Sequence, residues 1–163
     1  VFLLGSDELN HSILKNAFVV YIGHHGDNSA QIADVVLPSP AYTEKFSTYV
    51  NMEGRVLQST RCYHPLGQAK EEWKVFRSMS NNFGGQLTFN NLKDLRKEIF
   101  QKYPLFQLLN TLPVESKIYF GENKKVNTKI IDYTIKNFYM NDVISRASIT
   151  MANCTREILN KVA

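Results

Sequence analysis

Cysteine is scarce in this sequence. The 163 residues hold two, Cys62 and Cys154, far apart and in no CxxC. Such spacing argues against a zinc or iron–sulfur site built by this chain alone, since those sites need clustered thiolates or imidazoles. Two isolated thiols fit a reducing compartment. No apolar run approaches the ~20 residues of a membrane span, so direct membrane insertion is not expected. The glycine-rich phosphate loops GxGxxG and GxxxxGK[ST] are missing, as is the GxSxG elbow of hydrolases. Charge of one sign is not concentrated either. The net charge is +4 and the pI near 9.0. The densest basic cluster is Lys124, Lys125 and Lys129. Without a basic stripe interleaved with aromatics, nucleic-acid binding is not expected. Val1 opens directly into an apolar run followed by Gly5 and Asp7, which does not read as a signal peptide. The first residue is not methionine, so the sequence reads as processed or as part of a longer polypeptide.

What remains is an ordinary globular balance, 44% hydrophobic and 21% charged. The length predicts one domain over residues 1–163. A domain near this size buries roughly 70% of its unfolded surface, enough for a core. Lysine, asparagine and isoleucine are abundant, a bias common where coding DNA is A+T-rich, as in organelle genomes.

Val1–Gly5 and Phe18–Gly23 are short continuous apolar runs that end in glycine. Their apolarity in both pleat directions fits strands covered on both faces, the pattern of parallel sheets. Ser6–Ala17 is long enough for a helical crossover. Ile32–Pro38 is a third run, reached through the loop Gly23–Asn28, and Pro38 and Pro40 stop it. This β–crossover–β–crossover–β order is the doubly wound α/β signature. Residues 47–51 and 55–59 then read as a hairpin with Gly54 at the reversal. Helices are predicted over 68–82, with Trp73, Phe76 and Met79 on one side and Gly84 beyond the end, and over 91–103, with Pro104 as the stop. Lys117–Gly121 suits a short strand, and Glu122–Lys129 a polar loop. Asp142 reads as the N-cap of a final helix to about 162. Its apolar face is Ile144, Ala147, Met151, Cys154 and Ile158.

Few residues invite chemistry. His24, His25 and Asp27 follow a strand end, where α/β folds bind ligands, and a metal or acid–base role is conceivable. Yet adjacent side chains are expected to point apart, no third ligand has a recognisable spacing, and His64 is isolated. The plainer reading is a glycine-flanked turn. Glu44 and Glu53 are separate carboxylates in loop-like contexts. Asp34 interrupts an apolar run. If buried it needs partners, which backbone amides, helix N-termini or Arg55 could supply. Met151 and Cys154 read as core packing. No catalytic, cofactor-binding or metal-binding residue is assigned.

One segment is more specific. Ala33-Asp34-Val35-Val36-Leu37-Pro38, then Tyr42-Thr43-Glu44-Lys45, then Thr48-Tyr49-Val50-Asn51-Met52-Glu53-Gly54-Arg55 and Gln58, resembles the signature of the molybdopterin oxidoreductases. Tyr21-Ile22-Gly23-His24-His25-Gly26-Asp27 and Gly67-Gln68-Ala69-Lys70-Glu71-Glu72-Trp73-Lys74 resemble a narrower group. So does the tail, Ile135-Lys136-Asn137-Phe138-Tyr139-Met140-Asn141-Asp142, Ile144-Ser145-Arg146-Ala147-Ser148 and Met151-Ala152-Asn153-Cys154. That group is the mitochondrial-type large (75 kDa) iron–sulfur subunit of respiratory complex I, NADH:ubiquinone oxidoreductase.

The resemblance covers nearly the whole chain apart from 104–130. It implies a Rossmann-like α/β fold of the molybdopterin-oxidoreductase type, with this chain as its C-terminal portion and a C-terminal helix. It implies a place in the matrix arm of complex I at the inner mitochondrial membrane, with other matrix-arm subunits and the N-terminal part of the same subunit as partners. The family's version of the domain carries no molybdopterin, and its iron–sulfur clusters belong to N-terminal cysteines that no position here matches. The expected role is therefore structural. Two alternatives stand beside it. One is a fragment of an active molybdopterin-dependent oxidoreductase. The other is a stand-alone nucleotide-binding domain, which the missing phosphate loop opposes.

Overall fold

The three apolar runs do form strands. The structure is a computed structural model that describes residues 1–6, 9–85, 87–113, 128–130, 135 and 137–159. Strands β1 (Phe2–Leu4), β2 (Val20–Gly23) and β3 (Val35–Pro38) make a parallel sheet in the order β1-β2-β3. Phe2 stands opposite Val20, and Val20 opposite Val35. Apolarity on both faces has the expected consequence for the central strand, since every residue of β2 is buried. The flanking strands differ: only Leu3 of β1 is buried, and none of β3. The core sits on one face, where Leu3, Leu14, Val19 and Tyr21 pack with Leu9, Ala17, Ala30 and Ala33.

Both crossovers are short. The first carries a 3₁₀ turn (His11–Leu14) in place of the expected helix. It is capped by Asn10, whose side chain accepts from the Ser12 amide. The second carries one turn of helix, α1 (Asn28–Gln31), which residue types alone do not distinguish from the loop before it. Among the described residues the strand order never reverses. The architecture is thus α/β with one parallel and one antiparallel sheet, and no switch point of a doubly wound fold is seen.

The antiparallel pair is β4 (Thr48–Val50) with β5 (Val56–Gln58), in the expected hairpin. The reversal depends on two residues. The Asn51 side-chain oxygen accepts from the amides of Glu53 and Arg55 at 3.0 and 2.9 Å. Gly54 takes φ +79°, a region that side chains disfavour. Helix α2 (Glu72–Asn82) starts four residues later than predicted, because the chain before it is committed elsewhere. The Lys70 amide donates to Pro38 O at the end of β3. Gly84, at φ +70°, follows its end as anticipated. Helix α3 (Leu92–Lys102) starts at Asn91, whose side chain accepts from the Asp94 amide at 2.9 Å, and stops before Pro104. Phe76 of α2 meets Phe2 edge-on, ring centres 5.3 Å apart, and Trp73 meets Phe89.

The final helix is not continuous. Asp142 caps α4 (Val143–Ala147) by accepting from the Ile144 and Ser145 amides at 2.9 and 3.0 Å. The Ser145 hydroxyl, and then those amides, hold the Asp142 carboxyl below its ordinary value. Ser148 then leaves helical geometry (φ −87°, ψ 123°), and its hydroxyl oxygen caps α5 (Ile149–Cys154). A π-helical turn, Thr155–Leu159, follows. Serine competes for backbone amides in this way, so a single apolar period over 142–162 overstates the helix. Met151 and Cys154 are half-buried, while Ile144 and Ile158 are exposed; the predicted face is not core within this chain. The strand expected at Lys117–Gly121 lies outside the described residues, as does most of Glu122–Lys129.

Candidate functional site at the carboxyl edge of the parallel sheet

Ligands of open α/β sheets bind beyond the carboxyl ends of the strands. Here that edge gathers His24, His25 and Asp27 after β2, and Ser39, Glu44 and Lys45 after β3. Glu72 of α2 and Arg146 of α4 join them. Strand β2 ends on Gly23 because the ring of buried Tyr21 lies over that position; a Cβ there would overlap the ring.

His24 and His25 do not point apart. Their Nδ1 atoms lie 2.6 Å from each other, with the rings at 87°. One nitrogen carries the hydrogen and the other accepts it, so the contact requires at least one neutral imidazole. Partial burial, then the neighbouring His25 and Lys45, lowers the His24 pKa from its ordinary value.

Asp27 and Arg146 make a contact that sequence reasoning missed. The Arg146 guanidinium donates to Asp27 Oδ2 through Nε at 2.9 Å, with Nη2 2.8 Å from the same oxygen, and to Met140 O through Nη1 at 3.3 Å. The pair is mostly buried and joins segments 119 residues apart. Both residues stood in quoted motifs, but no spacing rule links them. On the other side, Glu72 Oε1 accepts from Lys45 Nζ at 2.5 Å and from the buried Ser39 hydroxyl at 3.0 Å. Glu44 accepts from the Ala41 amide at 3.0 Å.

The remaining candidates lie elsewhere. Asp34 Oδ2 accepts from the Val19 amide at 2.7 Å, one of the partners foreseen. Arg55 is not another: it pairs with Glu53 at 3.3 Å and donates to Asn110 O at 2.7 Å. Asp34 is exposed, so the burial that would have required partners is not met. His64 and Cys62 are exposed, and the Cys62 amide donates to Thr43 O, beside Glu44, at 2.8 Å.

The arrangement suits a structural junction. Among the described residues no three histidine, cysteine or carboxylate side chains gather as metal ligands. A molybdopterin carries phosphate, so its cradle needs cations and amides in excess of local carboxylates. At this edge Lys45 is answered by Glu72 and Arg146 by Asp27, and Asp27 itself precedes α1. The residues of this edge do not fit that cofactor.

Comparison with known proteins agrees in kind. The family model described as molybdopterin oxidoreductase matches residues 1–82, half of the chain. A second, for the C-terminal region of the NADH-ubiquinone oxidoreductase G subunit, matches residues 114–154. The G subunit of NADH-quinone oxidoreductase from Rickettsia bellii is 39% identical over 94% of this chain and 22% of its own length. The mitochondrial 78 kDa subunit of NADH-ubiquinone oxidoreductase from Neurospora crassa is 44% identical over 95% of this chain and 22% of its own. The 75 kDa subunit from Reclinomonas americana is 37% identical over 95% and 23%. The chain thus spans less than a quarter of the length of these relatives. It belongs to the molybdopterin oxidoreductase family, and within it matches the bacterial G subunits and the 75–78 kDa proteins of the NADH–quinone oxidoreductases.

Proposed function

We propose that this chain is the C-terminal, structural and non-catalytic portion of the large subunit of respiratory complex I. The single observation that carries the reading is the likeness over 94–95% of the chain to subunits named for that enzyme in bacteria and mitochondria. The site chemistry supports it: the charged groups at the sheet's carboxyl edge are consumed by one another. On this reading residues 1–163 form one portion of a Rossmann-like, doubly wound domain whose other strands are supplied by the rest of the subunit. The chain sits in the peripheral arm, on the matrix side of the inner mitochondrial membrane. No described helix is long and apolar enough to cross a membrane. Its partners are the iron–sulfur N-terminal part of the same subunit and other arm subunits. Electrons pass from NADH to quinone through clusters held there, and no residue here is catalytic or binds a cofactor.

The test has two parts. The chain should co-purify with NADH:quinone activity from a mild detergent extract. Replacing His24 and His25 together by glutamine should leave turnover per assembled complex unchanged. A large fall in turnover at full assembly would assign the pair a chemical role. The family match at residues 1–82 also supports a second reading, part of an active molybdenum enzyme. Stoichiometric molybdenum in the purified assembly would establish it in place of the first.

A further inference from the structure

We infer that residues 137–159 are a strap, latched to the carboxyl edge of the parallel sheet by the Arg146–Asp27 pair, and that strap and loop open as one. The segment is tied together internally. Asn137 Nδ2 donates to the Thr155 hydroxyl oxygen at 3.0 Å, and that hydroxyl donates to Met151 O at 3.1 Å. Arg146 Nη1 donates to Met140 O. These bonds join the 3₁₀ turn Phe138–Met140, α4, α5 and the π-helical turn to one another. They do not supply a core. None of the described residues in these elements is buried, and Ile149 is 81% exposed. A segment that buries so little apolar surface gains little from the hydrophobic effect, so its polar contacts set its place on the sheet.

The Arg146–Asp27 contact is suited to that task. It is charge-assisted, with Nε and Nη2 both within 2.9 Å of Asp27 Oδ2. Both side chains are mostly buried, and a buried charge parted from its counter-ion is strongly unfavourable. The pair therefore separates only when the chain around it opens to water. On the sheet side that chain is the loop after β2. Asp27 precedes α1, and its carbonyl oxygen accepts from the Ala30 and Gln31 amides at 2.8 and 3.1 Å. The other charges of this edge are engaged elsewhere, Lys45 with Glu72 and Glu44 with the Ala41 amide. Asp27 lies in the region shared with the molybdopterin oxidoreductases, and Arg146 in the C-terminal region of the narrower group. At the edge where open α/β sheets take their ligands, this carboxylate is thus answered from within the chain.

The inference goes beyond the proposed function and does not rest on it. Its test is hydrogen–deuterium exchange of the native assembly, purified in mild detergent and read by peptide mass spectrometry. On the loop the probes are peptides carrying the Ala30 and Gln31 amides, which donate to Asp27 O. On the strap they are peptides carrying the Arg146 and Ser148 amides, which donate to Asp142 O and Ser145 O. Asp27→Asn keeps the size of the side chain and removes its charge. It should speed exchange of the strap probes about tenfold, the worth of one charge-assisted hydrogen bond, although they lie far away in sequence. Arg146→Met should speed the loop probes likewise. A variant that loosens only its own side would overturn the inference. The unmodified assembly gives a reading even where a variant does not assemble. In rising urea, short of dissociation, both sets of probes should lose protection over the same range of concentration. Loss in one set while the other stays protected would equally overturn it.

Discussion

At the scale of single residues, two groups have consequences that measurement can reach. Asp34 accepts from the Val19 amide at the entrance to β2. Asp34→Ala removes that acceptor, and the loss should be about 1 kcal/mol. In the assembled protein the Val19 amide should then exchange about fivefold faster; unchanged exchange would show the bond is idle. His24 is the second. Its folded pKa is lowered, chiefly by burial, from 6.5. As pH falls past 6.5 the unfolded chain takes up a proton that the folded chain refuses. The stability this group contributes is therefore present above 6.5 and is lost as pH falls toward the lowered value. Melting temperature should drop on acidification from pH 8 through that window, and His24→Gln should shrink the drop. The sequence exposed the histidines but not their contact, because the turn through Gly26, at φ +59°, is set by backbone geometry that residue types only permit. The Asp27–Arg146 pair was still less legible, since it needs the whole chain folded to exist.

Secondary-structure elements were far more legible, and the reason is local. Strands β1 to β3 are announced by apolar runs that also set their burial demand. The hairpin is announced by Gly54, and the Asn51 side chain that the structure adds acts within five residues. Gly54→Ala tests this directly. The left-handed φ disfavours a side chain, and a Cβ would come within 3.0 Å of Pro113 Cγ. The expected cost is about 1–2 kcal/mol, seen as a lower melting temperature of the assembly and faster amide exchange across β4 and β5. A substitution without effect would mean the turn relaxes to another geometry. Errors came where an element's end is set by a distant group or by a local cap that competes with the helix period. Helix α2 starts late because Lys70 is held by β3, and the last helix breaks because Ser148 caps anew.

For the whole molecule, the balance of burial governs behaviour. Among the described residues only eight apolar side chains are buried, a small core for that many residues. Part of the deficit lies on the parallel sheet. Phe2 and Leu4 of β1 are 42% and 51% exposed, and Val35 and Val36 of β3 are 38% and 52%. Parallel strands are stable when both faces are covered, and a bare edge offers unpaired amides and carbonyls to other chains. Phe83, 77% exposed, extends the same apolar surface beyond α2. Each such side chain, fully covered, contributes about 1.5–3 kcal/mol. Leaving several bare therefore removes an amount comparable to the entire stability of a domain, about 5–15 kcal/mol. Residues 1–163 expressed alone should consequently lack a sharp cooperative unfolding transition, bind a hydrophobic dye, and aggregate as concentration rises. The Leu3 amide should exchange freely in the isolated chain and become protected in the assembly. A soluble monomer with a protected Leu3 amide and a single sharp transition would show that the chain completes its own core, and the structural role proposed for its neighbours would fall with it.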